Sequence, residues 1–308
     1  MARLKKILVI GGTGFIGFHL LKAAKRKHWL AYSVSTKKPS KNRFVKGVKY
    51  IFSNLENYKD LKKKLIANYD YVVNASGQNF FVNSKEKKKI LINNHFFGLL
   101  NLIKIFSKKK IKKFIQIGSG AEYGENFSPQ IESKDFNAIG SYGSAKLASS
   151  KMLIALNQIQ GFPAVILRPF QLYGPNQDEN KIVPLVITGC LKNKKIYLTK
   201  SEQIRDFCYI DDFVTAVFKL LKKEKISQNV LNIGSGKPVK LKVLVKKIYK
   251  KIKAGKLFFG KIKYRKDENK ILYPNIKKIK KEINWHPKIN LDHGLMITID
   301  YYKQFYKK

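Results

Sequence analysis

Tyr142 and Lys146, in the segment Ser141-Tyr-Gly-Ser-Ala-Lys146, have the residue types and the spacing for proton transfer. On a helix, positions four apart share one face. An ammonium beside a phenol lowers the phenol's pKa, so a tyrosine in that setting can pass a proton near neutral pH. The spacing alone is weak, because it recurs at Tyr58-Lys62 and Tyr249-Lys253. What lifts it is its place in the chain, well downstream of Gly11-Gly-Thr13-Gly14-Phe15-Ile16-Gly17, which follows directly on Ile7-Leu-Val-Ile10.

That glycine loop stands between an apolar run and a helical stretch, as dinucleotide binding requires. Gly11 allows the tight turn, Gly14 lets the backbone approach a pyrophosphate, and Gly17 lets the helix pack on the sheet. The helix N-terminus then offers unpaired N–H groups and a positive dipole end to the phosphates, with Thr13, Phe15 and Ile16 completing the contact. The end of the second strand reads Val34-Ser35-Thr36-Lys37-Lys38 and carries no acid for a ribose 2′-hydroxyl. Hydroxyls and cations suit a 2′-phosphate, so NADP(H) is favoured, NAD(H) being the alternative.

The elements that must position these residues follow from alternating apolar runs and lysine-rich helical stretches, the pattern of βαβ units. Strands are expected at Ile7–Ile10, Ala31–Ser35, Val48–Phe52, Tyr71–Asn74, Phe114–Ile117 and Ala164–Leu167. Helices are expected at about Gly14–Lys27, Ile90–Phe106 and Tyr142–Gln160. Six strands with intervening helices predict an α/β fold, a doubly wound parallel Rossmann sheet. After Arg168-Pro169, prolines at 175, 184, 238, 274 and 287 punctuate shorter elements, which predicts a smaller C-terminal substrate-binding domain. The expected division is 1–170 with about 207–234 for the dinucleotide, and about 171–206 with 235–308 for the substrate.

Composition bounds the classes. The 308 residues carry a net charge of +43, which can signal nucleic acid or anionic membrane. Only six of the 63 cations are arginine, however, and the lysines are scattered over nearly every segment, as solvated helix faces would be. No nucleic-acid or membrane partner is expected. No apolar run is long enough to span a bilayer, and no secretory leader is visible, so a cytoplasmic protein is expected. Cys190 and Cys208 show no metal spacing and are expected to be reduced thiols. His19, His28, His95, His286 and His293 show none either; they are read as structural, and no metal is expected. Asp211-Asp212 is read as helix capping and domain contact. Tyr301-Tyr302 and Phe305-Tyr306 are read as sealing a terminal helix onto the core.

Taken in order, these motifs resemble the extended short-chain dehydrogenase/reductases, the nucleotide-sugar epimerases, dehydratases and reductases, over essentially the whole chain. Ile117-Gly-Ser119-Gly-Ala-Glu-Tyr123-Gly124 is similar to the family's Ser/Thr-X-X-X-Tyr-Gly segment. Asn74-Ala-Ser-Gly77 is similar to the segment after strand four. Arg168-Pro-Phe-Gln171-Leu-Tyr173-Gly-Pro175, Arg205-Asp-Phe-Cys-Tyr-Ile-Asp211-Asp212, Asn232-Ile-Gly-Ser-Gly236 and Asn284-Trp-His-Pro287 complete the likeness. The resemblance implies that Ser119, Tyr142 and Lys146 are catalytic. It implies that Asn54, Leu55, Ala75, Ser76, Gly77 and Pro169 join Ser35, Thr36, Lys37, Tyr142, Lys146 and the glycine loop around the cofactor. It further implies that Gly120, Ala121, Gln171, Arg205 and Arg265 bind substrate, the arginines at the diphosphate, and that Arg168 has a structural part beside the cofactor. The sugar nucleotide is expected in a cleft between the domains, and a homodimer through helices near 90–106 and 142–160.

Departures from the family pattern narrow the activity. The 4,6-dehydratases carry Asp-Glu immediately after the catalytic threonine, whereas Gly120-Ala121 cannot exchange a proton. Asn54 stands where aspartate is common, and Gln171 where asparagine is. The expected function is NADPH-dependent reduction of the C4 keto group of a nucleotide-linked 4-keto-6-deoxyhexose, in deoxysugar biosynthesis. The alternatives are an NAD-dependent nucleotide-sugar 4-epimerase and a non-catalytic dinucleotide-sensing protein.

Overall fold

The computed structural model describes residues 3–77, 84–132, 137–227, 229–264 and 268–307. In chain order the elements begin β1 Lys6–Ile10, α1 Phe15–Arg26, β2 Leu30–Ser35, β3 Lys49–Phe52, α2 Tyr58–Lys64 and β4 Tyr71–Asn74. Then come α3 Lys85–Ile92, α4 Gly98–Phe106, β5 Lys113–Ile117, α5 Gly140–Gln160, β6 Ala164–Pro169, β7 Gln171–Tyr173, α6 Ile182–Leu191 and β8 Lys195–Tyr197. The rest are β9 Ile204–Tyr209, α7 Ile210–Lys222, β10 Val230–Ile233, β11 Pro238–Lys240, α8 Leu241–Ile252, β12 Lys256–Phe258, β13 Ile271–Leu272, α9 Lys277–Ile283 and α10 Leu291–Lys307.

Two compact units divide the chain. The first holds residues 1–124, 132–168 and 214–231; the second holds 125–131, 169–213 and 232–308. The first unit is built on a seven-stranded sheet of order β10-β6-β5-β4-β1-β2-β3. Its β1–β2, β1–β4, β2–β3, β4–β5 and β5–β6 pairs are parallel. Ile7, Leu8, Val9 and Ile10 are all buried, as an unbroken apolar run in a sheet covered on both faces must be. Each such side chain contributes roughly 1.5–3 kcal/mol by leaving water. With Leu8 and Ile10 pack Val72, Leu102, Phe106, Phe114 and Ile166.

The winding reverses between β1 and β4, so the loops after β1, β4 and β5 leave the same carboxyl edge of the sheet beside the reversal. That crevice is where doubly wound sheets take ligands. The expected α/β, doubly wound sheet is therefore present, with β10 as a seventh strand beyond the six read from the sequence.

Two local features depart from expectation. The helix expected from Ile90 to Phe106 is not one α-helix: a π turn, Asn93–Phe97, separates α3 from α4. The helix α2 was not expected; Asn57 caps it, its side chain accepting from the Asp60 N–H at 3.0 Å. At the far end of the sheet, the Lys113 ammonium donates to the Leu220 and Lys223 carbonyls, a cation closing the C-terminal turn of α7.

In the second unit β9 pairs with β7, β11 and β13, and β12 pairs with β8. Tyr302 donates to the Gln177 carbonyl at 2.5 Å and Tyr301 to Asn176 Oδ1 at 2.7 Å, which fastens α10 to that turn. Asp212 lies in the first turn of α7, but its carboxylate accepts from the Lys288 and Ile289 N–H groups. It holds that later loop rather than capping its own helix. Cys190 and Cys208 are free and buried. Among the described residues no helix is long and apolar enough to cross a membrane.

Candidate active site

The glycine loop is shaped by contacts that leave no room for side chains. Gly11 has φ +76°, and a Cβ there would lie 2.8 Å from the Ala75 carbonyl oxygen. A Cβ on Gly17 would lie 2.2 Å from the Gly11 carbonyl oxygen, so α1 can approach β1 only with glycine at that position. Gly14 is different: its nearest neighbour would be the Gly11 oxygen at 3.3 Å. It is the N-cap of α1, no side chain caps it, and the first turn carries no acid. An open helix end with free donors at the sheet's reversal fits a pyrophosphate. Thr13 is tied to the second strand, its N–H donating to Ser35 Oγ at 3.3 Å, while Ser35 donates to the Val34 carbonyl at 2.8 Å. Ser35 thus braces the loop, and Thr36 and Lys37 beyond it are exposed.

Ser119 follows β5 in extended conformation and caps a 3-10 turn, Gly120–Tyr123. Its hydroxyl accepts from the Ala121 N–H at 3.1 Å. Tyr142, in the first turns of α5, is half-buried, with the Ser119 side chain close enough to pull its phenol down. One turn on, Lys146 is buried and donates to the Ile117 carbonyl at 2.7 Å. The three residues are therefore together at the carboxyl end of β5. Their charge states depart from the expected lowering of the phenol by lysine. Burial pushes the Tyr142 phenol up to about 12, against a downward pull from Ser119, and the Glu122 carboxylate adds to the rise. Burial brings the Lys146 ammonium down to about 8, against an upward push from Glu122. In this state desolvation, not Lys146, sets the direction for Tyr142.

One neighbour escaped the sequence reading, and a second was read only as structural. Glu122 caps the 3-10 turn from inside: its Oε1 accepts from the Ser119 N–H at 2.8 Å, and its Oε2 lies 2.8 Å from both Nε and Nη2 of Arg168. Neither side chain of this ion pair is exposed, and breaking one half of such a pair typically costs about 3–5 kcal/mol. His95 sits in the π turn, buried, with its ring edge-on to Tyr142 at 5.2 Å between centroids. The same ring occupies the place where a Cβ on Gly77 would fall, 1.9 Å from it. The carbonyl of His95 accepts from Ser149 Oγ at 2.8 Å. The sequence signals were Glu three residues after a capping serine, and a histidine in a helix due to pass this edge of the sheet.

The remaining expected residues lie in varied settings. Ser76 donates to Asn74 Oδ1 from its N–H at 3.2 Å and its hydroxyl at 2.5 Å, and Asn74 in turn reaches Gln116 at 2.9 Å. Ala75, Ser76 and Gly77 thus border the loop at Gly11 and the ring of His95. Asn54 is exposed and accepts from the Glu56 N–H, while Leu55 is buried against Gly98. Pro169 is buried at the end of β6. In the second unit Gln171 opens β7, opposite Phe207 of β9. Arg205 is buried and held by Glu268 at 2.9 Å and by the carbonyls of Ile204, Asn269 and Lys270. A diphosphate would compete with Glu268 for this guanidinium. Arg265 lies outside the described residues. Among the described residues no cluster of three or more His, Cys, Asp or Glu could hold a metal.

Residues 7–234 match the model of the NAD dependent epimerase/dehydratase family. The chain belongs to this family. It is similar to a putative UDP-glucose 4-epimerase of Methanocaldococcus jannaschii, 28% identical over 96% of this chain and 98% of the relative. It is also similar to the human dTDP-D-glucose 4,6-dehydratase, 25% identical over 97% of this chain and 90% of the relative. The fold is that of the UDP-glucose 4-epimerase of Thermotoga maritima, with a TM-score of 0.90 at 24% identity over 97% of this chain and 99% of the other. The UDP-glucuronic acid 4-epimerase of Bacillus cereus, solved with UDP-glucuronic acid and NAD, gives 0.87 at 25% identity over 98% and 100%. As a member of the epimerase/dehydratase family, the chain is an extended short-chain dehydrogenase/reductase-type enzyme using an NAD(P)-type dinucleotide.

Proposed function

We propose that the enzyme inverts C4 of a nucleoside-diphosphate hexose or hexuronate through a 4-keto sugar. One observation carries this reading: the Ser119 side chain lies close enough to Tyr142 to pull its phenol down, and the two positions after Ser119 are Gly120 and Ala121. Inversion at C4 needs one proton taken from the 4-hydroxyl and given back to the same oxygen after the face has changed. A single phenol can do both. Elimination of water across C5–C6 needs a further acid and base, which glycine and alanine cannot supply.

In this reading Tyr142 accepts and returns the proton, Ser119 hydrogen-bonds the C4 oxygen, and the Lys146 ammonium stabilises charge on the phenolate. Gly11–Gly17, Ser76 and Lys146 would hold the dinucleotide, which when bound takes up and returns the hydride. The UDP-sugars named for the Thermotoga and Bacillus epimerases are the first substrates to try. The test is incubation with UDP-glucose, UDP-galactose and UDP-glucuronate, followed by proton NMR of the anomeric region. A mixture of C4 epimers with no net consumption of cofactor is expected; unchanged sugars across the panel would refute the reading.

A second reading is favoured by the end of β2, where Ser35-Thr36-Lys37-Lys38 offers no carboxylate to a ribose 2′-hydroxyl. This is NADPH-dependent reduction of a nucleotide-linked 4-keto-6-deoxyhexose, and stoichiometric loss of NADPH absorbance with such a sugar would select it. A homodimer belongs to the same proposal, since Ile90, Ile92, Phe97 and Ile159 are exposed on the helices concerned; sedimentation tests it.

A further inference from the structure

We propose that Glu122 is a positioning residue of this active site: its buried carboxylate holds Ser119 in place for Tyr142, faces Lys146, and is itself held by Arg168. The inference rests on the reading of Ser119, Tyr142 and Lys146 as the working residues.

The geometry divides the carboxylate between two tasks. Oε1 accepts from the backbone N–H of Ser119, which fixes the extended residue whose hydroxyl meets Tyr142. Oε2 accepts from Nε of Arg168 and lies 2.8 Å from its Nη2, and Nη1 of Arg168 donates to the Tyr123 hydroxyl at 3.0 Å. The guanidinium also lies over the Tyr123 ring, 4.9 Å from its centroid. No slack remains on the open side, because a Cβ on Gly118 would fall 2.4 Å from Oε1. A short surface turn can be capped by any exposed Ser or Asp. A fully buried ion pair is a costly means to that end, so its placement calls for a use beyond capping.

The groups around the carboxylate supply that use. Lys146, Tyr142 and Ser150 face it from α5, Arg168 from β6, and Ser119 from its own turn. Its negative charge opposes the loss of the Lys146 proton, which burial alone would favour. It also opposes ionisation of Tyr142, so the phenolate that accepts the 4-hydroxyl proton depends on Lys146 keeping its charge. Of the pair, the carboxylate is the charge that acts on both; Arg168 anchors it.

The test uses the whole chain with 13Cε-labelled lysine, followed by NMR from pH 6 to 9.5. The Lys146 resonance is the one lost in Lys146→Arg. Glu122→Gln is expected to move its titration midpoint downward, and Glu122→Asp, which keeps the charge, to move it less. Where the substrate is in hand, Glu122→Gln should lower kcat about 10- to 100-fold with KM within about twofold, as loss of positioning does. Should Glu122→Gln not fold, Glu122→Met with Arg168→Met removes both charges, and a smaller downward movement is expected. An unmoved Lys146 midpoint in a folded variant overturns the proposal. The titration needs no sugar, so a chain that turns over none of them but shows the movement would sink the proposed function and leave Glu122 in its role.

Discussion

The hydroxyl of Tyr142 is the only difference between that residue and phenylalanine, so Tyr142→Phe isolates the proton transfer. Turnover is expected to fall by about 10²–10⁴-fold, with dinucleotide binding retained, as read by fluorescence titration. Turnover near the parent rate would remove Tyr142 from the chemistry. Lys146 makes a sharper, pH-dependent claim. Its folded value of about 8 means the ammonium is lost as pH rises through that point, and the rate should fall with it. Stability moves the other way: the unfolded lysine keeps its proton to higher pH, so the cost of the buried charge is full below about 8 and fades above it. Rate and melting temperature measured together between pH 7 and 10 should therefore diverge, and Lys146→Arg should flatten both trends. Tyr142 and Lys146 were readable because their spacing and place in the chain are local facts. Glu122 and His95 were not, because each acquires its meaning from a partner distant in sequence: Arg168 lies 46 residues from Glu122, and Gly77 and Tyr142 meet His95 only once the sheet is wound.

Elements with a strong apolar rhythm could be read from the chain, and those without one could not. The strands of the first unit fell within a residue or two of expectation because the central ones, β1, β4, β5 and β6, are buried on both faces and carry mostly apolar runs, whereas β3 at the edge has no buried residue. Tyr58–Lys64 has one buried residue, Leu61, in seven, so no periodicity betrayed it. Strands β7, β8, β11, β12 and β13 are two or three residues long, below the length at which alternation can register. The π turn was missed for a related reason: a single extra residue leaves the composition of the helix unchanged. The first helix offers the cleanest test at this scale. Gly17→Ala places a methyl against the Gly11 carbonyl and should cost about 1–3 kcal/mol, with a lower melting temperature and weakened dinucleotide binding. Gly14→Ala should fold almost normally and lose binding alone. Equal melting temperatures for the two variants would mean that the contact at Gly17 does not constrain the packing.

A net charge of +43 on 308 residues repels itself, and the few acids present are not enough to offset it. Raising ionic strength from about 10 mM to about 150 mM shortens the screening length from about 30 Å to about 8 Å. The melting temperature is expected to rise over that range; a flat response would mean that the lysines are neutralised locally. The family was legible at this scale, and the match over residues 7–234 bears it out. The expected return of the chain near 207–234 has a consequence in the order of assembly, since β10 joins the sheet beside β6 only after the second unit's first long segment has been made. That itinerary bears on biosynthesis. A nascent chain that has emerged only as far as β6 presents that strand as a bare sheet margin, open to pairing with another polypeptide. The ribosome must add some sixty further residues before β10 arrives to cover it. A fragment ending near residue 170 should accordingly precipitate, whereas one released after Ile233 has its margin closed.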